Sequence, residues 1–446
     1  MMELMRRRDF LKASATAALT LSSAPAVFAQ DKGKQYSTAI IGTGWWGMNI
    51  LHEAMASGRC RVTALCDVDQ NQLQQAASEV EQKSGPTPRR YTDFREMLAW
   101  EKPDICIVAT PDHWHPLAMI AAVKQGAHVY VEKPVSHTIL EGRAMVTAAR
   151  AADRVVQVGT HRRVSPHCIS GRDFVRSGKV GKIGMVRCFV FYGGGPEQPR
   201  ANSPSPNGLD WDFWCGPATM RPFNHKIHPK GFRNFLDYGN GQLGDWGIHW
   251  LDQVRWIMDL KYPRKVYSAG GRTIRGPVVN DGKGQTTDAP DHQVAVFEFD
   301  DGLTVTWEHR WFANNNAEKT DPAQPVGCYF YGTEGTFHQG WLDGWTFYPA
   351  DPKAPPIHQD PQLHLPDQQN IRELWADFLD AIETRRRPVC DIEEGHLSTN
   401  VALLAMLSLK LGRSVNWDGD RYQCVGDPDA NALLGRKYRA PWVYPR

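Results

Sequence analysis

The chain has 446 residues, 41% of them hydrophobic and 22% charged, with a formal net charge of +2. That length supports two sizeable cores, and the near-balanced charge gives no electrostatic case for nucleic acid or an anionic membrane surface. Nine scattered cysteines without a C-x-x-C spacing argue against a disulfide framework or structural zinc site, and read as buried, reduced thiols.

The first stretch, "MRRRDFLKASATAALTLSSAPAVFAQ", has a charged start, a mild apolar run and a small-residue exit. This is the pattern of an export signal, predicted over residues 1–29. Arg7-Arg8-x-Phe10-Leu11-Lys12 resembles the twin-arginine type, which carries folded proteins across a bacterial membrane. The apolar run is too short and too rich in Ala, Ser and Thr to span a bilayer. The expectation is a mature chain starting near Gln30, periplasmic or otherwise exported, with no stable membrane insertion after cleavage.

Next comes "TAIIGTGWWGMNILHEAMASG", where an apolar strand runs into Gly42-x-Gly44-x-x-Gly47 and a helical pattern. Gly42 allows the tight turn, Gly44 lets the backbone approach a pyrophosphate, and Gly47 lets the helix pack on the strand. The helix N-terminus supplies free N–H groups for the phosphates, with Trp45 and Trp46 beside them. The following strand, "RVTALCD", ends in Asp67, placed to accept bonds from the adenosine ribose hydroxyls. An acid there repels a 2′-phosphate, so the predicted cofactor is NAD rather than NADP. Two more buried strands run into Thr110-Pro111 and into Glu132-Lys133-Pro134. In a parallel sheet ligands bind outside the carboxyl ends of the strands, which puts Lys133 beside the cofactor.

Up to about Gly159 the alternation of strands and helices predicts a doubly wound parallel sheet over residues 36–160. Beyond it, long Pro- and Gly-rich loops and hairpin signals such as Asp301-Gly302 predict a substrate-binding α+β domain over residues 161–370, built on a large, mainly antiparallel sheet. Two closing helices around 373–384 and 394–411 belong to a last segment, 371–446, expected to pack on both domains. The fold class is therefore α/β.

Taken together, the glycine turn, "ATPDHWH", "VEKP" and "GQLGDWGIHWLDQ" resemble, in this order, the glucose-fructose oxidoreductase, inositol dehydrogenase and rhizopine-catabolism family (Gfo/Idh/MocA), and the "RPFNHKIHPKGFRNFLDYGNGQLGDWG" stretch resembles an exported subgroup. The resemblance implies a Rossmann domain joined to an α/β domain whose sheet often forms an oligomer interface, and a nicotinamide enzyme of sugars or polyols. It assigns Lys133, Asp245 and His249 to the active site. Thr110, Pro111, His115 and Arg162 would stand near the cofactor and Arg163 near substrate; His161 stands where Asn is common.

Asp245 and His249 are four apart at the start of a helical pattern, which places them on one face. An aspartate beside a histidine suits a proton acceptor, and Lys133 can donate to the reacting oxygen. Trp211, Trp214, Trp246 and Trp250 are candidates for a saccharide platform, and Arg221, His225 and Tyr238 for hydroxyl partners. His113-x-His115 and His225-x-x-His228 are not joined by carboxylates or cysteines at ligand spacing, so no metal is expected. Three functions stay open: an exported carbohydrate oxidoreductase with tightly bound NAD; a redox-neutral glycosidase or lyase acting through a transient keto sugar; and a non-catalytic sugar-binding protein.

Overall fold

In the computed structural model the described residues are 34–313 and 325–445. The export signal expected over residues 1–29 lies outside them. Tyr36–Ile41 (β1), Cys60–Cys66 (β2), Arg89–Tyr91 (β3), Ile105–Val108 (β4), His128–Val131 (β5) and Val156–Val158 (β6) form a sheet in the order β3-β2-β1-β4-β5-β6. Every pairing in it is parallel. β4 is buried throughout and β5 from Val129 onward, as expected for strands covered on both faces.

The intervening helices are Trp45–Ala56 (α1), Gln70–Ser84 (α2), Phe94–Glu101 (α3), His115–Lys124 (α4) and Ile139–Ala151 (α5). Their starts are written locally. Asp69 and Asp93 cap α2 and α3 through their carboxylates. Thr138 and Glu141 form a capping box on α5, in which the Thr138 N–H donates to Glu141 at 2.7 Å. The strand order reverses between β1 and β4, which opens a crevice at the carboxyl edge.

After helix Pro166–Arg176 (α6), a second sheet gathers Ile183–Phe191 (β7), Lys265–Gly271 (β9), His292–Glu298 (β11), Thr304–Arg310 (β12), Val326–Gly332 (β13), Gly335–Gly340 (β14), Trp345–Pro349 (β15), Ile357–Gln359 (β16), Val415–Asp418 (β17) and Gln423–Cys424 (β18). Arg200–Ala201 (β8) and Gly284–Gln285 (β10) pair separately. The ten strands run β16-β15-β14-β13-β7-β12-β11-β9-β17-β18. Only β7 and β12 pair in parallel, so the sheet is mixed, with antiparallel pairs dominating. The Asp301-Gly302 signal falls in the turn between antiparallel β11 and β12, with Asp301 at φ 58°.

Helix Ile248–Met258 (α7) covers this sheet, preceded by a π-helical turn at Leu243–Gly247. The closing helices are Pro366–Thr384 (α8) and Ile392–Leu411 (α9). α8 begins earlier than the apolar periodicity shows, because its first turn is polar and started by Pro366 at N1. Its apolar stripe enters the first sheet's core, where Trp375 stacks on Tyr130 with centroids 5.5 Å apart. α9 instead packs in the core of the second sheet. A third, smaller core within residues 209–238 gathers Trp211, Trp214, Ile227, Phe232 and Phe235. All nine cysteines are buried and free. Among the described residues no helix is long and apolar enough to cross a membrane.

Candidate active site

The glycine turn sits at the crevice between β1 and β4. Gly42 has φ +95°, and a Cβ there would lie 2.7 Å from the backbone of Ala109. A Cβ on Gly47 would meet the Gly42 carbonyl oxygen at 2.2 Å, whereas Gly44 has nothing within 4 Å of its would-be Cβ. Two glycines therefore serve packing, and Gly44 faces open space at the N-terminus of α1. Asp67, just after β2, accepts from the Thr43 N–H at 2.7 Å and from the Asp69 N–H at 3.0 Å. The cleft is lined by the three glycines, Trp45, Trp46, Asp67, Thr110, Pro111, Glu132 and Lys133, together with Trp214 and a segment of residues 228–233.

Along this crevice Thr110 Oγ1 is buried without a partner among the described residues, while the Trp46 Nε1–H lies toward the Glu132 carboxylate without closing a hydrogen bond, which leaves Glu132 Oε1 bare. Buried polar groups are normally paired, so unpaired ones converging on a cleft mark the positions of ligand atoms. Together with the open face of Gly44 and the carboxylate after β2, they fit a dinucleotide. Burial raises the Glu132 pKa to about 6 and that of nearby Asp112 to about 7. His115 is not among the lining residues; its ring nitrogens lie 2.8 Å from the carbonyls of Pro134 and Thr110, so it ties the loop after β4 to the turn after β5.

At the end of β5, Lys133 Nζ donates to Asp245 Oδ1 at 2.8 Å and to the Asp245 carbonyl at 3.1 Å. Arg233 Nε donates to the same Oδ1 at 3.1 Å. Burial alone would raise the Asp245 pKa, but the two cations outweigh it and hold the group at about 2. The helical spacing places Asp245 and His249 on consecutive turns, yet the aspartate does not orient the histidine. Its partners are Lys133 and Arg233, and His249 Nδ1 has no partner. Burial, then the charges of Lys133, His161 and Arg162, push the His249 pKa well below its ordinary value. The ring is therefore neutral, with Nδ1 unpaired. Asp245 sits in the π-helical turn rather than capping α7, and such turns recur at functional sites.

Around His249 stands an aromatic wall. Trp341 lies 5.0 Å and Trp246 5.9 Å away between ring centroids, and Tyr192 is 6.0 Å from Trp246. Arg162 is not at the cofactor cleft: its guanidinium lies 3.5 Å over Trp341 and its Nη1 donates to the Trp341 carbonyl. Of the four tryptophans expected as a platform, only Trp246 borders His249. Trp250 is fully buried, and Trp211 and Trp214 stack at 4.5 Å in the third core, with Trp214 reaching the cofactor cleft.

The remaining substrate candidates stand elsewhere. Arg163 is buried in a two-point ion pair with Asp252 at 2.7 and 2.9 Å, which anchors the turn after β6 to α7. Arg221 is held between Asp237 and Asp288. Tyr238 is fully buried and donates to the Thr219 carbonyl at 3.0 Å. His225 is exposed, its ring against Phe223. Each is absorbed by local pairing or packing that sequence spacing does not reveal. Arg233 and Trp341, in contrast, join the site without a role that spacing shows: Arg233 lies inside the quoted "RPFNHKIHPKGFRNFLDYGNGQLGDWG" stretch, and the signal at Trp341 is its place in the Gly-bounded "GWLDG" between β14 and β15. Among the described residues no group of three or more His, Cys, Asp or Glu could hold a metal.

Fold and cleft define a Rossmann-type dinucleotide-binding protein, with Lys133 on the cleft wall and Asp245 bound to it. Family models agree: "Oxidoreductase family, NAD-binding Rossmann fold" matches residues 36–160, "GFO/IDH/MocA C-terminal domain" residues 217–338, and "Oxidoreductase family, C-terminal alpha/beta domain" residues 336–444. The chain belongs to the Gfo/Idh/MocA oxidoreductase family, and its cofactor is NAD. It is 34% identical over 134 residues to a glycosyl hydrolase family 109 protein of Stenotrophomonas maltophilia, covering 29% of each chain. It is 26% identical over 258 residues to levoglucosan dehydrogenase of Pseudarthrobacter phenanthrenivorans, covering 55% of this chain and 57% of that one. The chain thus spans less than two thirds of the length of these curated relatives. The solved levoglucosan dehydrogenase complex with NADH and levoglucosan superposes with a TM-score of 0.64 at 17% identity, covering 86% of this chain and 99% of that one.

Proposed function

We propose that the protein is an NAD-dependent oxidoreductase that oxidises or reduces a carbohydrate or polyol at a hydroxyl or ketone carbon. The observation that carries this reading is the Lys133–Asp245 pair beside a neutral, unpartnered His249, walled by Trp246 and Trp341 at the end of the cofactor cleft. Levoglucosan dehydrogenase, an enzyme named for a sugar, supports the substrate class. The glycines and the α1 N-terminus would hold the pyrophosphate, Asp67 the adenosine ribose, and Thr110, Pro111 and Glu132 the nicotinamide half. When bound, NAD supplies a two-electron oxidant. Lys133 Nζ donates a hydrogen bond to the substrate oxygen while Asp245 fixes its position, and His249 Nδ1 accepts the hydroxyl proton. Sugar rings lie against Trp246 and Trp341.

The same set serves a redox-neutral glycosidase, a reading favoured by the family 109 relative. Incubation with free sugars and chromogenic glycosides, following nicotinamide absorbance and aglycone release together, separates the two. A keto sugar with reduced cofactor supports the first reading; aglycone release without net reduction supports the second. Neither signal from any glycoside or polyol would sink both and leave a sugar-binding protein.

The twin-arginine pattern supports export to the periplasm with NAD already bound, since that route carries folded proteins. A homo-oligomer through the open face of the second sheet is supported by the exposed Met185, Tyr267 and Val294 on β7, β9 and β11. Light scattering on the purified protein tests the oligomer, and fractionation of expressing cells tests the export.

A further inference from the structure

The segment of residues 228–233 crosses the cofactor cleft, and of it only Arg233, through Asp245, enters the chemistry above. We propose that it is part of the dinucleotide site: a strap whose Lys230 pairs with the cofactor pyrophosphate and whose anchoring makes release of NAD slow. This rests on the cofactor site alone and is independent of which sugar reaction the protein performs.

The strap is held at both ends. Ile227 is fully buried and Phe232 nearly so, both in the third core. That core is itself fastened to the adenosine side of the first sheet. Asp210 N–H donates to the Val68 carbonyl at 3.0 Å, Gln70 N–H to the Gly208 carbonyl at 2.9 Å, and Asn71 Nδ2 to the Asn207 carbonyl at 3.1 Å. At the other end of the cleft Arg233 grips Asp245, the carboxylate that holds Lys133. The turn between is tight: a Cβ on Gly231 would lie 1.7 Å from the Lys226 carbonyl oxygen. His228, Pro229, Lys230 and Arg233 face the glycine turn across the same cleft.

Lys230 has the position and the free charge. Its Nζ lies 4.9 Å over the ring of Trp45, the first residue of α1, where the pyrophosphate meets unpaired helix N–H groups. Three cations line the cleft. Lys133 and Arg233 are both taken by Asp245, whereas Lys230 has no carboxylate partner among the described residues. A pyrophosphate carries two negative charges, and a mobile ammonium opposite the helix end neutralises one of them from the far wall. For NAD to leave, the strap must lift, which exposes Phe232 and opens the Arg233–Asp245 contact. Cofactor exchange and the Arg233–Asp245 contact therefore exclude each other.

The test follows release, not turnover. Full-length protein is loaded with NADH and chased with excess NAD, and the loss of tryptophan-sensitised NADH fluorescence gives the dissociation rate. Lys230 is exposed, so its substitution should leave folding intact. K230A is expected to release NADH about tenfold faster than the parent, a change of about 1.4 kcal/mol, and K230E faster still. K230R should stay within about threefold of the parent, because it keeps the charge. Raised salt should accelerate release from the parent and not from K230A. Equal release rates for the parent, K230A and K230E would overturn the proposal. So would release from the parent within seconds, because then nothing straps the cofactor in.

Discussion

Replacing Asp245 with Asn should damage both stability and turnover, by amounts the local electrostatics set. The carboxylate is held at about 2 against an ordinary 3.8, in spite of burial, because Lys133 and Arg233 both bind its Oδ1. That difference corresponds to about 2 kcal/mol of stability at neutral pH. Asn also leaves two cations facing each other with no anion, and breaking a buried pair in this way costs about 3–5 kcal/mol. A loss of about 2–5 kcal/mol is therefore expected in urea unfolding at pH 7. The folded-state pKa lies below the unfolded one, so the native carboxylate's contribution is fully present above about pH 4 and fades as pH falls toward 2. The gap between parent and variant should stay constant from pH 8 to 5 and narrow below 4. Turnover should fall about a hundredfold, because Lys133 loses the group that positions it against the substrate oxygen. A variant as stable as the parent, with turnover reduced less than threefold, would show that Asp245 neither anchors Lys133 nor shapes the site.

The other expectations separate packing from binding. D252N breaks the buried pair with Arg163, so it should cost about 3 kcal/mol in unfolding while the NAD dissociation constant stays within threefold. G44A should weaken NAD at least tenfold with little loss of stability, because its Cβ enters open space reserved for phosphate; G47A should destabilise by about 1–3 kcal/mol, because its Cβ strikes a backbone oxygen at 2.2 Å. D67N should narrow the preference for NAD over NADP in a binding titration, since it removes the charge that repels a 2′-phosphate and keeps an acceptor for Thr43. Burial holds His167, His309 and His338 at about 4 and His161 and His396 at about 3. These folded pKa values lie below the unfolded value, so the stability is fully present above about pH 6.5 and is lost as pH falls toward the folded values; equal urea midpoints at pH 7 and 5 would rule this out.

What the sequence makes legible follows from how local the physics is. The glycine turn, Asp67 and the strand ends were readable because each function there depends on backbone geometry within a few residues. Gly42 needs its positive φ and Gly47 its missing Cβ whatever the rest of the chain does. Lys133, Asp245 and His249 were readable from the resemblance and from helical spacing, but not the bond between them. Spacing alone pairs Asp245 with His249, its neighbour one turn on. The fold instead brings Lys133 from the first sheet, 112 residues away in sequence, to the same carboxylate. A carboxylate takes the cation that reaches it, and a buried histidine amid cations stays neutral. Arg163, Arg221 and Tyr238 show the converse. An arginine or tyrosine in a loop reads as a ligand for hydroxyls, yet acids such as Asp252, Asp237 and Asp288, distant in sequence, claim these arginines in the fold. Charge pairing across elements therefore decides which polar side chains remain free for a ligand, and that is a property of the assembled structure. By the same rule the residues left unpaired point to ligand contacts: Gly44 with its open face, His249 with its bare Nδ1, and Lys230 with no carboxylate partner among the described residues.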